Sequence, residues 1–287
     1  MVTNLKKNKA FSLVELSISL VVIGTLMAIV AGSTKLIASA RLTSARSLTA
    51  RSPVPKIEGL VAWYETSRRE SFKPSETVDD GQISAWYDVS PGSITKQKNT
   101  LTRTASSAVT YQSNGINKIP SVNIDGTGKI SVTSFYQGTS TQNTIFFVTR
   151  PYVLGGNTGT VIDSGAINTT AVALVTGGIR AYWGLTGDAT ASNCCSTNEN
   201  YIIAFYANRS SSKSYVNNAT TMTGGSTVNP GTNILTGLTV GAYAANSYNL
   251  TGLVSEVIVY NRPLQTQERK DVMNYLSQKY GITITGI

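Results

Sequence analysis

The hydrophobic and polar positions divide the chain into a basic start, a long apolar segment and an extended region of short alternating runs. Residues 1–10 are polar and basic, and the chain turns apolar at Phe11. Residues 16–34 carry no charged side chain, which is enough to cross a bilayer as a helix. Because lysines precede this segment, we expect a cytoplasmic N-terminus and export of everything that follows.

The helical pattern continues past the apolar segment. Residues 31–50 keep apolar positions at helical spacing among basic ones and contain no proline, so we predict one helix over 11–50 whose first half is transmembrane. Pro53 and Pro55 end this helix and make 51–57 a short linker.

Small residues recur every fourth position inside the apolar segment, at Gly24, Ala28 and Gly32. This spacing permits close approach of a second helix. The alternative is that a lipid environment simply tolerates small residues. The spacing alone does not choose between the two.

From residue 58 onward, short β-rich runs alternate with Gly, Asn and Pro, which is typical of an all-β sandwich. No composition break follows, so 58–287 is predicted to be one domain. Near its end, Thr266 can cap a short helix that Gly281 stops. The predicted strands are Leu60–Tyr64, Ile83–Tyr87, Ser121–Ile124, Thr144–Thr149, Ala171–Val175, Ile179–Trp183, Tyr201–Ala207, Lys213–Val216, Leu238–Ala242 and Leu253–Tyr260.

Composition narrows the function. The chain has 24 Lys+Arg against 15 Asp+Glu, a net charge of +9, but beyond the first ten residues the basic residues are scattered, so nucleic acid is not expected as a partner. The sequence contains no His, which excludes His-based metal sites, catalytic triads and imidazole bases. With 14% charged residues, the chain is typical of an exported β protein.

The N-terminal motif points to a particular export route. The run Lys9-Ala10-Phe11-Ser-Leu-Val-Glu15-Leu resembles the type IV prepilin signature. The resemblance implies that residues 1–10 are a leader, that a prepilin peptidase cuts between Ala10 and Phe11, and that the new amino terminus is methylated. It also implies that Glu15, an acid inside an apolar segment, pairs with the terminal amine of a neighbouring subunit. Most members have Gly where this chain has Ala10, so slower processing is expected.

The β region also carries loose family motifs. The segments 59–64, 83–90, 118–126 and 256–264 together resemble the concanavalin A-like, or LamG-like, jelly-roll superfamily. The resemblance implies a jelly-roll sandwich that closes with a short C-terminal helix, and a surface that binds glycans. The turn at 91–95 departs from the Gly/Asn-rich family pattern.

Candidate chemistry in the β region is sparse. Glycosidases need two suitably spaced carboxylates, and the close acid pairs here lie in polar loops, so no enzyme is expected. No cofactor is expected either, although loop acids such as Asp88, Asp125 and Asp163 leave calcium open. Trp183 and Asp188 are the candidates for a glycan contact, with a packed aromatic as the alternative for Trp183.

Cys194 and Cys195 are adjacent in a polar loop. In an oxidising compartment they either form a vicinal disulfide or cross-link to another subunit. We favour the vicinal disulfide, as a feature that stiffens the loop.

The sequence thus predicts a pilin-like subunit that is inserted in the bacterial inner membrane and then assembled into an extracellular filament. Its partners would be other pilin subunits, the prepilin peptidase, the inner-membrane assembly machinery and a glycan or cell surface. Two alternatives remain: a minor pseudopilin of a type II secretion system, or a membrane-tethered lectin-like protein that never assembles.

Overall fold

The computed structural model shows a long helix followed by a two-sheet sandwich and a C-terminal helix. It describes residues 12–91, 99–104, 107–136, 140–155, 159–164, 171–182, 188–192, 194–221, 234–243 and 248–287, with the backbone alone for 28–35, 182 and 188–192. The helices are α1 (Leu13–Ala50) and α2 (Thr266–Tyr280). The strands are β1 (Leu60–Glu65), β2 (Ala85–Trp86), β3 (Leu101–Arg103), β4 (Val109–Gln112), β5 (Ser121–Asp125), β6 (Ile130–Val132), β7 (Asn143–Pro151), β8 (Thr160–Asp163), β9 (Ala171–Val175), β10 (Gly178–Tyr182), β11 (Asp188–Ser192), β12 (Tyr201–Ala207), β13 (Lys213–Val216), β14 (Leu238–Val240) and β15 (Thr251–Tyr260).

Helix α1 confirms the predicted helix and ends at Ala50, as expected from the prolines that follow. By its contacts, the chain divides into a unit up to Arg41 and a second unit from Leu42 to Ile287. The sequence predicts that the first half of α1 crosses a membrane. Of the helices in the described part of the chain, none is both long and apolar enough to do so, and the side chains of 28–35 lie outside that part.

The last turns of α1 belong to the second unit. Ala45 is buried, Thr49 lies 3.2 Å from the Tyr275 hydroxyl, and the Val54 carbonyl accepts a 3.0 Å hydrogen bond from Tyr260. The predicted linker is therefore packed on the sandwich, and Val54–Lys56 form a 3-10 turn. The domain boundary at residue 58 stays a prediction.

Two antiparallel sheets form the sandwich. The first sheet has the order β13-β12-β7-β15-β5-β4, with β1 also paired to β15. The second sheet has the order β11-β10-β9-β8-β14-β6-β3-β2. The predicted all-β sandwich is confirmed, and hairpin turns join β9 to β10 and β12 to β13.

The hydrophobic core lies on both sides of the first sheet. One cluster fills the space between the sheets and includes Trp86, Phe147 and Leu238. The other covers the outer face of the first sheet and includes Trp63, Phe146 and residues of α2. Trp63 and Trp86 are both buried in these clusters.

Helix α2 confirms the predicted C-terminal helix, with one correction at its start. The N-cap is Gln265 rather than Thr266, because Glu268 accepts the Gln265 backbone N–H at 2.8 Å and completes a capping box. Gly281 ends the helix in the left-handed conformation at φ 61°, as expected from its missing side chain.

A buried ionic cluster fixes α2 on the first sheet. The Lys279 ammonium donates to Glu65 at 2.8 Å and to Glu256 at 2.7 Å, and all three side chains are inaccessible to solvent. Burial would raise the pKa of Glu65, but the charge of Lys279 and hydrogen bonds from Lys279 and Ser67 outweigh it and lower that pKa. Burial raises the pKa of Glu256 in spite of Lys279. Because no substrate can reach these two carboxylates, their role is structural.

Candidate functional site

The start of α1 is closed by a reciprocal hydrogen-bond pair. The Ser12 hydroxyl accepts the backbone N–H groups of Val14 at 3.2 Å and Glu15 at 3.4 Å, while Glu15 Oε2 accepts the Ser12 N–H at 2.9 Å. This is a capping box, which satisfies amide groups that the helix leaves free. The Ser-x-x-Glu spacing predicts it, and the sequence reasoning on Glu15 missed that signal. Within the described residues, Glu15 Oε1 accepts no hydrogen bond.

The first turns of α1 expose apolar side chains in all directions. Leu13 is 85% exposed and Met27 68% exposed, and every described residue from 13 to 27 is at the surface of the chain. The other large apolar residues exposed in this stretch are Val14, Leu16, Ile18, Leu20, Val21, Val22, Ile23 and Leu26. A surface this apolar is covered by lipid or by other protein when it functions.

The hydroxyl groups in the same stretch need no water. Ser17 donates to the Val14 carbonyl at 2.8 Å, Ser19 to the Glu15 carbonyl at 2.8 Å and Thr25 to the Val22 carbonyl at 2.9 Å. Each polar side chain from residue 16 to residue 27 is thus satisfied inside the helix, as an apolar environment requires.

The structure describes only some of the other residues that were predicted to act in processing and helix packing. An added Cβ at Gly24 would meet no atom within 4 Å, so this position is open to a neighbouring helix. Ala28 and Gly32 follow on the same helix at successive fourth positions. Ala10 and Phe11 lie outside the described residues.

The second sheet presents polar side chains on the face turned away from the core. Pairing aligns Thr102 with Ser131, Ser131 with Thr239, and Thr239 with Asp163 across four strands. Their neighbours along the strands, such as Leu101, Ile130 and Leu238, belong to the inner core. Since side chains alternate between faces, the four polar residues form one outward row. Thr239 and Asp163 are buried within it.

The row leads towards the predicted glycan contact. Asp163 pairs with Ala171, Ala171 with Tyr182, and Tyr182 with Asp188 at the start of β11. Trp183 lies outside the described residues, and Asp188 is described by its backbone alone. The structure therefore places Asp188 at the far end of this face, and the glycan contact stays a prediction.

The loop acids considered for calcium serve as local hydrogen-bond acceptors. Asp88 is buried and accepts the N–H groups of Trp63 and Ser90, each at 2.9 Å, which joins two segments of the sandwich. Burial raises the Asp88 pKa. Asp125 accepts from Thr127 at 2.9 Å, as a turn former does. Within the described residues, no three acidic or cysteine side chains lie together as metal ligands, and calcium stays an expectation.

The two cysteines lie together as free thiols. Their sulfur atoms are 3.0 Å apart, with Cys195 donating to Cys194, so the structure does not contain the expected vicinal disulfide. The hydrogen bond from Cys195 lowers the pKa of the Cys194 thiol, and the same bond raises that of Cys195. The backbone turns at Cys195, where φ is 74°, and this turn brings the two sulfur atoms together. The disulfide stays a prediction for the oxidised chain.

Comparison with known proteins supports the reading of the N-terminus. The prokaryotic N-terminal methylation motif matches residues 5–31, which include the capping box and most of the exposed apolar stretch. The motif supports processing as a pilin or pseudopilin and implies a membrane-anchored precursor. No curated protein matches the sequence.

Solved structures share the fold of the sandwich. The binding domain of Paraclostridial Mosquitocidal Protein 1 is 15% identical with a TM-score of 0.54, and the match covers 76% of this chain and 52% of that one. Trypanosoma rangeli sialidase in complex with sialic acid is 15% identical with a TM-score of 0.50, over 77% of this chain and 33% of the sialidase. This chain therefore spans only a third to a half of the length of these proteins. At such identity the likeness shows the fold alone.

Together these findings define the class of the chain. It carries the prepilin methylation motif of type IV pilins and pseudopilins at its N-terminus. The motif is followed by a sandwich of two antiparallel β-sheets and a short C-terminal helix.

Proposed function

We propose that this chain is a type IV pilin-like subunit that assembles into a filament through α1 and displays the sandwich for adhesion or glycan recognition. The main support for this proposal is the stretch 13–27, which exposes apolar side chains on every side of the helix. This stretch lies within the methylation motif. Its hydroxyl groups are satisfied internally, so the stretch suits first the inner membrane and then a bundle of like helices.

Glu15 supplies the specific contact in this assembly. One carboxylate oxygen holds the Ser12 N–H, and the other accepts no hydrogen bond in the described part of the chain. A carboxylate entering an apolar bundle needs a positive partner. Cleavage after Ala10 frees the amine of Phe11, and methylation then leaves that amine positively charged. In the filament, the amine charge of a neighbouring subunit neutralises Glu15.

The test separates the charge of Glu15 from its capping role. Glu15→Gln keeps a capping box, because glutamine also serves at this position, but removes the charge. Ser12→Ala removes the cap hydroxyl, at a cost of about 1 kcal/mol of helix stability, and keeps the charge. We expect E15Q to lose at least about tenfold in sheared filament yield, which corresponds to about 1.4 kcal/mol per contact, and S12A to assemble.

The proposed assembly role would be wrong if E15Q entered filaments at the level of the unchanged chain. If S12A and E15Q lost filaments equally, capping rather than charge would explain the requirement. Immunoblots for the precursor and the mature form serve as the control, since both variants must be processed.

We propose further that the sandwich binds its ligand without catalysis and uses the outward face of the second sheet. The first sheet is covered on both faces, whereas the second carries the exposed Thr102 and the half-buried Ser131 on its outer side, next to the buried Thr239 and Asp163. The accessible hydroxyl groups of Thr102 and Ser131 suit the hydroxyls of a sugar. Binding of neutral glycans on an array by the full chain tests this: Ser131→Trp should abolish it, whereas Gln278→Trp, on the exposed side of α2, should not.

The size of the sandwich favours a minor or tip position in the filament over a repeating one. Immunogold labelling of intact cells tests this placement. Label at the tips of surface filaments supports it, and label only after the envelope is opened would instead support the secretion pseudopilin.

A further inference from the structure

A cavity of about 310 Å³ lies between the β12–β13 hairpin and the first turn of α2. Its walls include Tyr206, Lys213, Tyr215, Thr220, Thr266 and Arg269. This volume is at the lower end of the range for small-molecule sites. The cavity lies on the first sheet, away from the outward face of the second sheet.

Arg269 brings a charged hydrogen-bonding group to the cavity. Its side chain is 5% exposed, and its Nε donates to the Ala219 carbonyl at 3.0 Å. Its guanidinium carbon lies 4.2 Å from the centre of the Tyr215 ring, which holds the group by a cation–π contact. The two terminal nitrogens donate to no group in the described part of the chain. If Arg269 only fixed α2 on the sheet, the bond from Nε would be sufficient. The two terminal nitrogens are therefore available to a ligand in the cavity.

The surroundings of Arg269 are positive. Lys213 lines the same cavity and forms no ion pair with any described residue, and no Asp or Glu is among the described residues of the wall. The first turn of α2 adds the positive end of a 15-residue helix. The nearby carboxylate of Glu268 is already paired with Arg262 at 2.5 Å.

The remaining wall suits a ring that carries hydroxyl groups. Tyr206 is half-buried and offers part of an aromatic face, which commonly packs against a sugar ring. Thr220 and Thr266 are exposed hydroxyls that can donate and accept.

We propose that this cavity binds an acidic monosaccharide unit, with its carboxylate or sulfate held by the fork of Arg269 and by Lys213. The planar guanidinium presents two parallel N–H donors, which match the two oxygens of such a group. The inference rests on the part of the proposed function that assigns saccharide binding to the sandwich, and it adds a second site with a stated ligand charge.

The experiment titrates the full chain, in a non-ionic detergent, with methyl glucuronide and with methyl glucoside as the neutral match. Isothermal calorimetry should detect the glucuronide at least about tenfold more tightly than the glucoside, because hydrogen bonds to a charged group contribute about 1.5–3 kcal/mol. Lys213→Ala should weaken the glucuronide threefold or more. Arg269→Gln should weaken it by at least tenfold, with thermal unfolding as the check that this variant folds.

Lys270→Ala is the matched control for Lys213→Ala. It also removes one positive charge, but from a position on α2 outside the cavity, and it should leave the affinity unchanged. Equal binding of glucuronide and glucoside, or equal effects of K213A and K270A, would overturn the inference. Equal affinity for acetate or sulfate ions would also overturn it, because the sugar ring would then contribute nothing. Binding of neutral glycans together with a glucuronide affinity that K213A leaves unchanged would remove this inference and keep the proposed function, whereas no binding to any saccharide would remove both.

Discussion

Replacement of Lys279 by methionine tests the buried cluster that holds α2 on the sandwich. The ammonium lies 2.8 Å from Glu65 and 2.7 Å from Glu256, and all three side chains are inaccessible to solvent. Removal of one partner from a buried ion pair costs about 3–5 kcal/mol, because an uncompensated charge remains. For a domain of this size, about 1 kcal/mol shifts the melting temperature by 2–4 °C, so we expect a fall of about 6–20 °C.

Trp63 provides the assay. Its indole N–H donates to Glu256 at 2.7 Å and the ring is buried, so tryptophan fluorescence reports unfolding beside the cluster. The triple variant Lys279→Met, Glu65→Gln, Glu256→Gln removes all three charges at similar volume and should recover at least half of the lost stability. A melting temperature of K279M within 2 °C of the unchanged chain would refute the reasoning.

The pH dependence of the stability of K279M tests the same reasoning a second time. In the unchanged chain the pKa of Glu65 is lowered, so its contribution is present above the unfolded value near 4.3 and is lost as the pH falls through the folded pKa. The pKa values of Glu256 and Lys279 are raised, so their contributions are present below the unfolded values and are lost as the pH rises. Without Lys279, burial raises the pKa of both glutamates. The destabilisation by K279M should therefore be larger at pH 8 than at pH 5.

Three further predictions concern single positions. Asp88→Ala leaves the buried N–H groups of Trp63 and Ser90 without their acceptor and should cost about 2–4 kcal/mol in urea unfolding, whereas an unchanged midpoint would show that these bonds contribute nothing. Gly281→Ala forces a side chain into the left-handed region at φ 61° and should cost about 1 kcal/mol by the same measurement, and an unchanged midpoint would contradict this. Mild oxidation should remove two hydrogens from the pair Cys194–Cys195 within one chain, because the sulfur atoms lie 3.0 Å apart, and mass spectrometry that finds only cross-linked chains would contradict this.

Much of the architecture follows from local sequence. Strands β9, β12 and β13 begin and end at the predicted residues, and α1 ends at Ala50 ahead of two prolines. The prediction missed β3, β4, β6, β8 and β11. These strands have three to five residues and are defined by hydrogen bonds to their partner strands, which the local sequence pattern does not show.

The candidate sites divide in the same way. The methylation motif, Glu15 and its capping partner Ser12 lie within a few residues, so the sequence by itself determines them, even though the Ser-x-x-Glu signal was not used. Whether the first half of α1 spans a membrane remains the prediction of the apolar run. The row on the second sheet depends on the pairing register of its strands. A slip of one residue in that register would turn these side chains to the opposite face of the sheet.

What the sequence determined is therefore everything set by spacing along the chain: the processing motif, the apolar segment, the β-rich texture and the closing helix. Only the tertiary structure decided which of the scattered charges meet. Lys279 reaches Glu65 across 214 positions of sequence, and Arg269 reaches the Ala219 carbonyl across 50. Contacts of this kind depend on how sheets and helices pack, and no periodicity of the chain encodes which side chains packing brings together.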